Sequence, residues 1–458
     1  MKKDNKTLNA GNVDFNKENA GENVGTNDTP EKSATAPTVN ALNNSAKTKK
    51  GGLFAIFLCW SVYTAAYLGR YSYSSNIISV INYYKVSHAS AGLVTTCFFF
   101  SYGVGQLING LLCNRYNKKV MIALSLLISS AINLAVFYGA PFASFKYLWV
   151  LNGAAQSVLW SSLISALSQT LQGKDLSKAT VIMSTTVPVG TFLTYGLSAV
   201  EATTGAFKYS FLVGAAVMII CTAVWLVFYD KNLKNDNIKP DKTEQKSKPL
   251  KEKQQAAFSP YLVAMFAVIA IAVAACNLIK DGLTAWVPSI LNEKFSLNES
   301  LSIVITLMLP LLGMVGAFIN TVVVKKLKSY VGVFVVYFTV VSISILLVIV
   351  FSSLSMWALI ILFGIISLLT YAVNNFVTSL LPLYMRDKVN AGMFAGIFNA
   401  CGYVGSMISS YGLGKVADSF GWNGVFNLLL CVGVAVAAIS VLYEIARKTT
   451  KKSQSDIL

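Results

Sequence analysis

Twelve apolar stretches alternate with short charged connections along this chain. They lie at roughly 53–82, 89–113, 119–139, 145–171, 179–200 and 207–229, then 257–291, 300–324, 330–352, 356–384, 391–416 and 423–446. A bilayer core takes ~20 residues of helix to cross. Lipid offers no partners to backbone N–H and C=O groups, so segments of this length must be helices. The chain is 55% hydrophobic and 12% charged, a balance that excludes an ordinary soluble domain. The expected fold is an all-α membrane protein of twelve transmembrane helices. The stretch 230–256 interrupts the series with eight lysines, five acids and no apolar run. It divides the chain into two six-helix halves, 51–229 and 257–446, with itself as the linker.

Loop charge orients the bundle. With the N-terminus inside, four short loops on the inner side carry Arg115, Lys118, Lys119, Lys174, Lys178, Lys325, Lys326, Lys328, Arg386 and Lys388. The outer loops carry Lys85, Lys146, Lys208 and Lys294. The positive-inside rule puts both termini and the linker in the cytoplasm. The formal charge of +17 therefore reflects membrane orientation, and no nucleic-acid partner is implied. Residues 1–50, rich in Asn, Lys, Thr and Ala, read as a disordered tail. No apolar core follows the early lysines until residue 53, so this is not a signal peptide. Residues 447–458 read as a second tail. The Lys- and Asn-rich composition of the two tails together fits a bacterial plasma membrane.

Arg70 sits deep in the first apolar stretch, among Tyr63, Tyr67, Tyr71 and Tyr73. An arginine at mid-bilayer costs at least ~2.5–3.5 kcal/mol unless it faces protein or water. Fourteen uncharged residues separate it from Lys85, which argues against simple snorkelling. A shift of 210 residues places Arg70 on Lys280 and carries Arg115 and Lys118 onto Lys325 and Lys328. A shift of about 216 aligns PVGTFLTYGL at 188–197 with YVGSMISSYGL at 403–413. Same-handed repeats make the halves pseudo-symmetric about an axis along the membrane normal, with a site between them. Two equivalent cations there read as an anion site.

Asp281 follows Lys280. Successive helical residues point about 100° apart, which sets their direct pairing against the geometry. If they do pair, the site carries one net positive charge and a monovalent carboxylate fits as well as a phosphate. Trp286 and Pro288 read as packing and a bend. Asn374 and Asn375 either join helices or face the cavity. The seven cysteines, all in apolar stretches and none in a CxxC pair, read as small core hydrophobes. His88 is the one histidine, so neither a metal site nor a cofactor is expected. There is no GxxxxGK[ST] loop for ATP and no carboxylate–histidine chain for protons. The chain reads as a transporter and not an enzyme.

Four stretches, YTAAYLGR, SYGVGQLINGLLCNRYNKKV, IKDGLTAWVPSIL and NAGMFAGIFNACGYVGSMISSYGLGKVADSFGWNGVF, resemble the organophosphate:phosphate antiporter family of the major facilitator superfamily, which includes glycerol-3-phosphate and hexose-phosphate transporters. The resemblance covers about 53–446. It implies that Arg70 and Lys280 hold the phosphate, that Tyr63, Tyr67 and Tyr102 line the pore, and that Gln156 and Trp160 face the same cavity. The sequence departs from the pattern at four places. Gln106 stands where glycerol-phosphate members have lysine, Val187 where they have histidine, Lys280 where they have arginine, and Asn114 where the superfamily loop has aspartate. The first three count against glycerol-3-phosphate as substrate. The resemblance implies a monomer in the bilayer that exchanges a phosphorylated metabolite for inorganic phosphate by alternating access. A carboxylate transporter, with or without protons, and a membrane sensor of sugar phosphate are the alternatives.

Overall fold

A computed structural model describes residues 39–112, 115–171, 173–233, 260–326, 329–351, 355–381 and 391–455. Apart from one π-helical turn, Phe376–Leu380, the described elements are α-helices. In the first half these are α1 (Val39–Ser75), α2 (Ile77–Tyr84), α3 (His88–Leu112), α4 (Lys118–Phe137), α5 (Phe142–Gln156), α6 (Leu159–Thr170), α7 (Gly173–Ser184), α8 (Thr186–Thr204) and α9 (Tyr209–Asn232). The second half has α10 (Pro260–Phe295), α11 (Glu299–Thr306), α12 (Met308–Lys326), α13 (Tyr330–Phe351), α14 (Met356–Asn375) and α15 (Ala391–Ser455). Asn114 and most of the linker lie outside the described residues.

These helices resolve into the twelve expected crossings. The pairs α1/α2, α5/α6, α7/α8 and α11/α12 are single crossings broken once. At Asn76 the break has a local cause. Ser75 Oγ donates to the Tyr71 carbonyl at 2.8 Å and Asn76 Nδ2 to that of Ser72 at 2.9 Å, and such bonds compete with the helical ladder. The breaks at Thr185 and Leu307 precede Pro188 and Pro310. A proline three residues on has no N–H for the carbonyl four residues before it, and it sits well in a new first turn. α15 is two helices. Gly421 interrupts it at φ 66°, in the left-handed region that glycine enters freely. The stretch 396–449 is 54 residues long, far more than one crossing needs.

Counted across such breaks, ten described helical spans are long and apolar enough to cross a membrane, the stretch 396–449 among them. The fifth crossing, α7/α8, is not one of these, because serine, threonine and charged residues dilute it. α1 starts at Val39, inside the expected disordered tail, and α15 runs to Ser455, inside the other. Elongating a formed helix is far easier than nucleating one, so flanking Ala, Lys and Arg prolong it. Lys49–Leu458 form one compact unit, and of Met1–Thr48 the described residues, from Val39, are helical.

Both halves use the same close approach. A Cβ added at Gly190 would lie 2.4 Å from Tyr67 Cβ and 3.2 Å from the Thr64 carbonyl oxygen. One added at Gly405 would lie 1.8 Å from the Ala274 carbonyl oxygen. The 210-residue shift carries Thr64 onto Ala274, so each VG motif seats its crossing against the equivalent turn of the helix that bears the cation. Where the halves meet, α3 crosses α15. Cβ atoms at Gly92 and Gly414 would lie 2.2 Å and 2.7 Å from the carbonyl oxygens of Ser410 and His88. Thr96 Oγ1 donates to the Met407 carbonyl at 2.8 Å and accepts from the Tyr411 N–H at 3.1 Å. Large apolar side chains such as Phe57, Ile220, Ile343 and Leu442 remain exposed, the surface a bilayer covers. The six cysteines among the described residues are free, and Cys431 is exposed rather than a core residue.

Candidate functional site

Arg70 is 7% exposed and sits in an aromatic box. Its Cζ lies 4.5 Å from the Tyr67 ring centre, 4.3 Å from that of Tyr102 and 5.1 Å from that of Phe98. Ring faces attract a guanidinium, more strongly away from water. Arg70 Nε donates to Gln156 Oε1 at 3.0 Å. Gln156 is itself held, its Nε2 donating to the Ala66 carbonyl at 3.2 Å and to Asn152 Oδ1 at 3.1 Å. Asn133 and Ser72 join α4 to α1 at 2.8 Å. Against this fixed seat, Arg70 Nη2 is buried without a partner.

Lys280 stands on the opposite half. Its Nζ lies 3.1 Å from Asp281 Oδ1 and 5.3 Å from the Tyr371 ring centre. The two side chains therefore pair directly, which corrects the expectation from helix geometry. The 100° between neighbours separates Cα–Cβ directions only. A four-carbon lysine stem bridges that angle when both side chains lean into one cavity. Ser406 Oγ also donates to Asp281, which anchors the carboxylate to α15.

Arg70 and Lys280 line one cavity of about 180 Å³. From α1 it is lined by Tyr67, Arg70, Tyr71 and Ser74, and from α10 by Asn277, Lys280, Asp281 and Thr284. The 210-residue shift carries the first four onto the last four in order. Each set is a stripe at positions i, i+3, i+4 and i+7, one face of a helix. Arg70, Lys280 and Asp281 are the charged residues in the lining, which leaves one net positive charge. Asn374 and Asn399 also line it, with Tyr195, Tyr371 and Ser406. Asn374 thus faces the cavity, whereas Asn375 is not part of its lining.

Of the other expected site residues, Tyr67 and Asp281 line this cavity, and Tyr63, Tyr102, Gln106, Gln156 and Trp160 do not. Those five form the layer behind Arg70. Tyr63 meets Trp160 at 5.1 Å between ring centres and its hydroxyl lies 3.3 Å from that of Tyr102. Gln106 Nε2 donates to Tyr102 Oη at 3.0 Å, and Asn399 Nδ2 donates across the seam to Gln106 Oε1 at 2.7 Å. Val187, in the place of the expected histidine, lines the cavity. Asn277, Thr284, Tyr371, Asn399 and Ser406 were not singled out in the sequence. The repeat could have found two of them, since it maps Tyr67 and Ser74 onto Asn277 and Thr284.

The profile of the Major Facilitator Superfamily matches residues 59–408, well over half of the chain. This chain belongs to the Major Facilitator Superfamily. That superfamily is one of membrane transporters, not enzymes. It is 27% identical over 107 residues to the membrane sensor protein UhpC of Escherichia coli K12, covering 23% of this chain and 24% of UhpC. It is 30% identical over 150 residues to the sphingosine-1-phosphate transporter SPNS2 of Danio rerio, covering 31% and 29%. It is 28% identical over 135 residues to sugar phosphate exchanger 3 of Xenopus laevis, covering 28% and 26%. The chain thus aligns with less than a third of the length of each of these relatives. The crystal structure of a bacterial homologue of the human lysosomal transporter Spinster superposes with a TM-score of 0.67, covering 86% of this chain and 97% of that one, at 15% identity. That likeness establishes the major facilitator fold.

Proposed function

We propose that this protein exchanges a phosphorylated small metabolite for inorganic phosphate by alternating access. The observation that carries the reading is the buried Arg70 guanidinium, held by Gln156 and three rings, lining the cavity opposite Lys280 with Nη2 unpartnered. An unpartnered N–H group on a buried cation is costly, and a bound oxyanion removes that cost with a charge-assisted hydrogen bond. The amides of Asn277, Asn374 and Asn399 and the hydroxyls around them suit the hydroxyl-bearing end of a sugar or polyol. Binding draws the halves together about the anion, which ties movement to occupancy. The similarity to sugar phosphate exchanger 3 and to a phosphate-ester transporter supports this class. The similarity to UhpC supports the sensor alternative.

One observation favours a second substrate class. Asp281 pairs with Lys280 at 3.1 Å, so the cavity holds one net positive charge and suits a monovalent sugar acid. Purified protein in liposomes separates these readings. Vesicles preloaded with phosphate are expected to take up labelled phosphate or sugar phosphate with no imposed gradient. Uptake of a sugar acid that ignores internal phosphate and needs an inward proton gradient would replace exchange with symport. Binding without any uptake would favour the sensor.

A further inference from the structure

His88 lies at the start of α3, at the end of the molecule that loop charge assigns to the outside. It sits between two carboxylates of the opposite half. Its Nε2 is 2.7 Å from Glu293 Oε1 on α10, and its Nδ1 is 2.8 Å from Asp418 Oδ1 on α15. The ring also packs edge-on against Trp286 and Trp422, with centres 5.6 Å and 5.3 Å away. Asp418 accepts the backbone N–H groups of His88 at 3.0 Å and of Ala89 at 2.8 Å. It therefore caps the N-terminus of α3, where a negative charge is favoured. Glu293 accepts from Trp422 Nε1 at 2.9 Å through its other oxygen. The neighbouring cation, Lys294, is directed elsewhere, donating to Asn423 at 2.8 Å.

A neutral imidazole carries one N–H, and an ionised carboxylate only accepts. A neutral ring between two carboxylates would leave one ring nitrogen facing an oxygen with no hydrogen between them. Both contacts are hydrogen bonds only if the clamp holds one further proton, on the ring or on a carboxylate. Asp418 is committed as an acceptor to two backbone N–H groups and Glu293 to an indole N–H. The ring is the group left to carry the proton, as an imidazolium that donates to both sides.

We propose that His88, Glu293 and Asp418 form a binding site for one proton that exists only while α3 meets α10 and α15 at this end of the molecule. When the halves part here, His88 becomes an ordinary imidazole, mostly neutral at pH 7, and the proton leaves. Glu293 is 43% exposed and Asp418 26%, so the proton comes from and returns to the solution on this face. Each cycle then binds and releases it on the same side, and no proton is carried across. The inference rests on alternating access by a major facilitator, not on the identity of the transported anion.

The sign follows from linkage: the conformation that binds more protons is favoured as pH falls. Low external pH should therefore hold this end closed, and rising pH should release it. The test uses the full chain without native cysteines, in nanodiscs, with Asn82→Cys and Phe420→Cys carrying spin labels. Electron–electron distance distributions are read from pH 5.5 to 8.5, with no anion added. In the parent protein the ratio of closed to open populations should fall as pH rises, by at most ten-fold per pH unit for one proton. His88→Gln, which cannot take up a proton, should flatten the dependence to less than about two-fold over the range. Glu293→Gln keeps the histidine and Asp418 and should move the transition to lower pH. A pH-independent ratio in the parent would overturn the proposal. So would an unchanged pH dependence in His88→Gln or, should that protein not fold, an unmoved transition in Glu293→Gln. Phosphate exchange plays no part in this measurement, so its absence would not affect the outcome.

Discussion

Arg70 rests on three rings and one amide, and that seat determines what its replacement should do. Each charge-assisted hydrogen bond contributes ~1.5–3 kcal/mol, so Arg70→Ala and Lys280→Ala should each weaken binding of the transported anion by at least about ten-fold. Arg70→Lys keeps the charge but loses the planar face against Tyr67 and Tyr102 and the Nε bond to Gln156, so it should also impair binding. Lys280→Arg should be milder, because it keeps a cation and adds a fork. The dissociation constant at fixed salt is the measurement. Wild-type affinity in folded Arg70→Ala and Lys280→Ala proteins would remove the proposed site. Asp281→Asn probes the charge balance. Removing the carboxylate that pairs with Lys280 should tighten binding of a divalent anion by about ten-fold, equivalent to ~1.4 kcal/mol, while a monovalent acid gains less. An unchanged ratio of the two affinities would mean that the pair does not set selectivity. Both cations stood out in the sequence, because charge within an apolar stretch is visible without any contact. The pairing of Asp281 was not visible, since it depends on how two flexible side chains settle in a cavity formed by other helices.

The halves depend on close helix approach at Gly190 and Gly405. A side chain at Gly405 has no space, since even a Cβ would lie 1.8 Å from the Ala274 carbonyl oxygen. Gly405→Val should lower stability by ~1–3 kcal/mol through overpacking, read as a fall in melting temperature in detergent. Gly196→Ala is the control, because a Cβ there meets nothing within 4 Å. It should be neutral or slightly stabilising, by up to ~1 kcal/mol. Similar melting for the two variants would contradict the packing described. The repeated VG motif was legible as a motif, and its purpose follows only from the carbonyl against which each glycine rests. The helix breaks at Thr185 and Leu307 were signalled by Pro188 and Pro310. The break at Asn76 was not, since serine and asparagine side chains in a helix bond outward as readily as to their own backbone.

For the whole molecule, orientation decides which side of the membrane the His88 clamp faces. Loop charge puts residue 235 inside and residue 296 outside. Asn235→Cys and Ser296→Cys, each introduced into a cysteine-free chain, should behave oppositely toward an impermeant thiol reagent added to intact cells. Labelling is expected at position 296 and not at 235. The reverse pattern would invert the bundle and move the His88 clamp to the inner face. The proposed exchange itself would be unaffected, because the cavity lies between the halves in either orientation.

Twelve crossings, two equivalent halves and the cations at Arg70 and Lys280 follow from the amino-acid order alone. Hydrophobic length, charge and repeat distance are properties of the chain, and lipid leaves a long apolar segment no alternative to a helix. Tertiary structure decided which side chains meet. It puts Gln156 on Arg70, Asp281 on Lys280, and Tyr63 and Tyr102 behind the cavity wall instead of on it. It also joins His88 to Glu293 and Asp418, 205 and 330 residues away in sequence. In the sequence the lone histidine spoke only against a metal site. Partners that distant come together only when the two halves close on each other, and that encounter is a property of packed helix faces that no local pattern encodes.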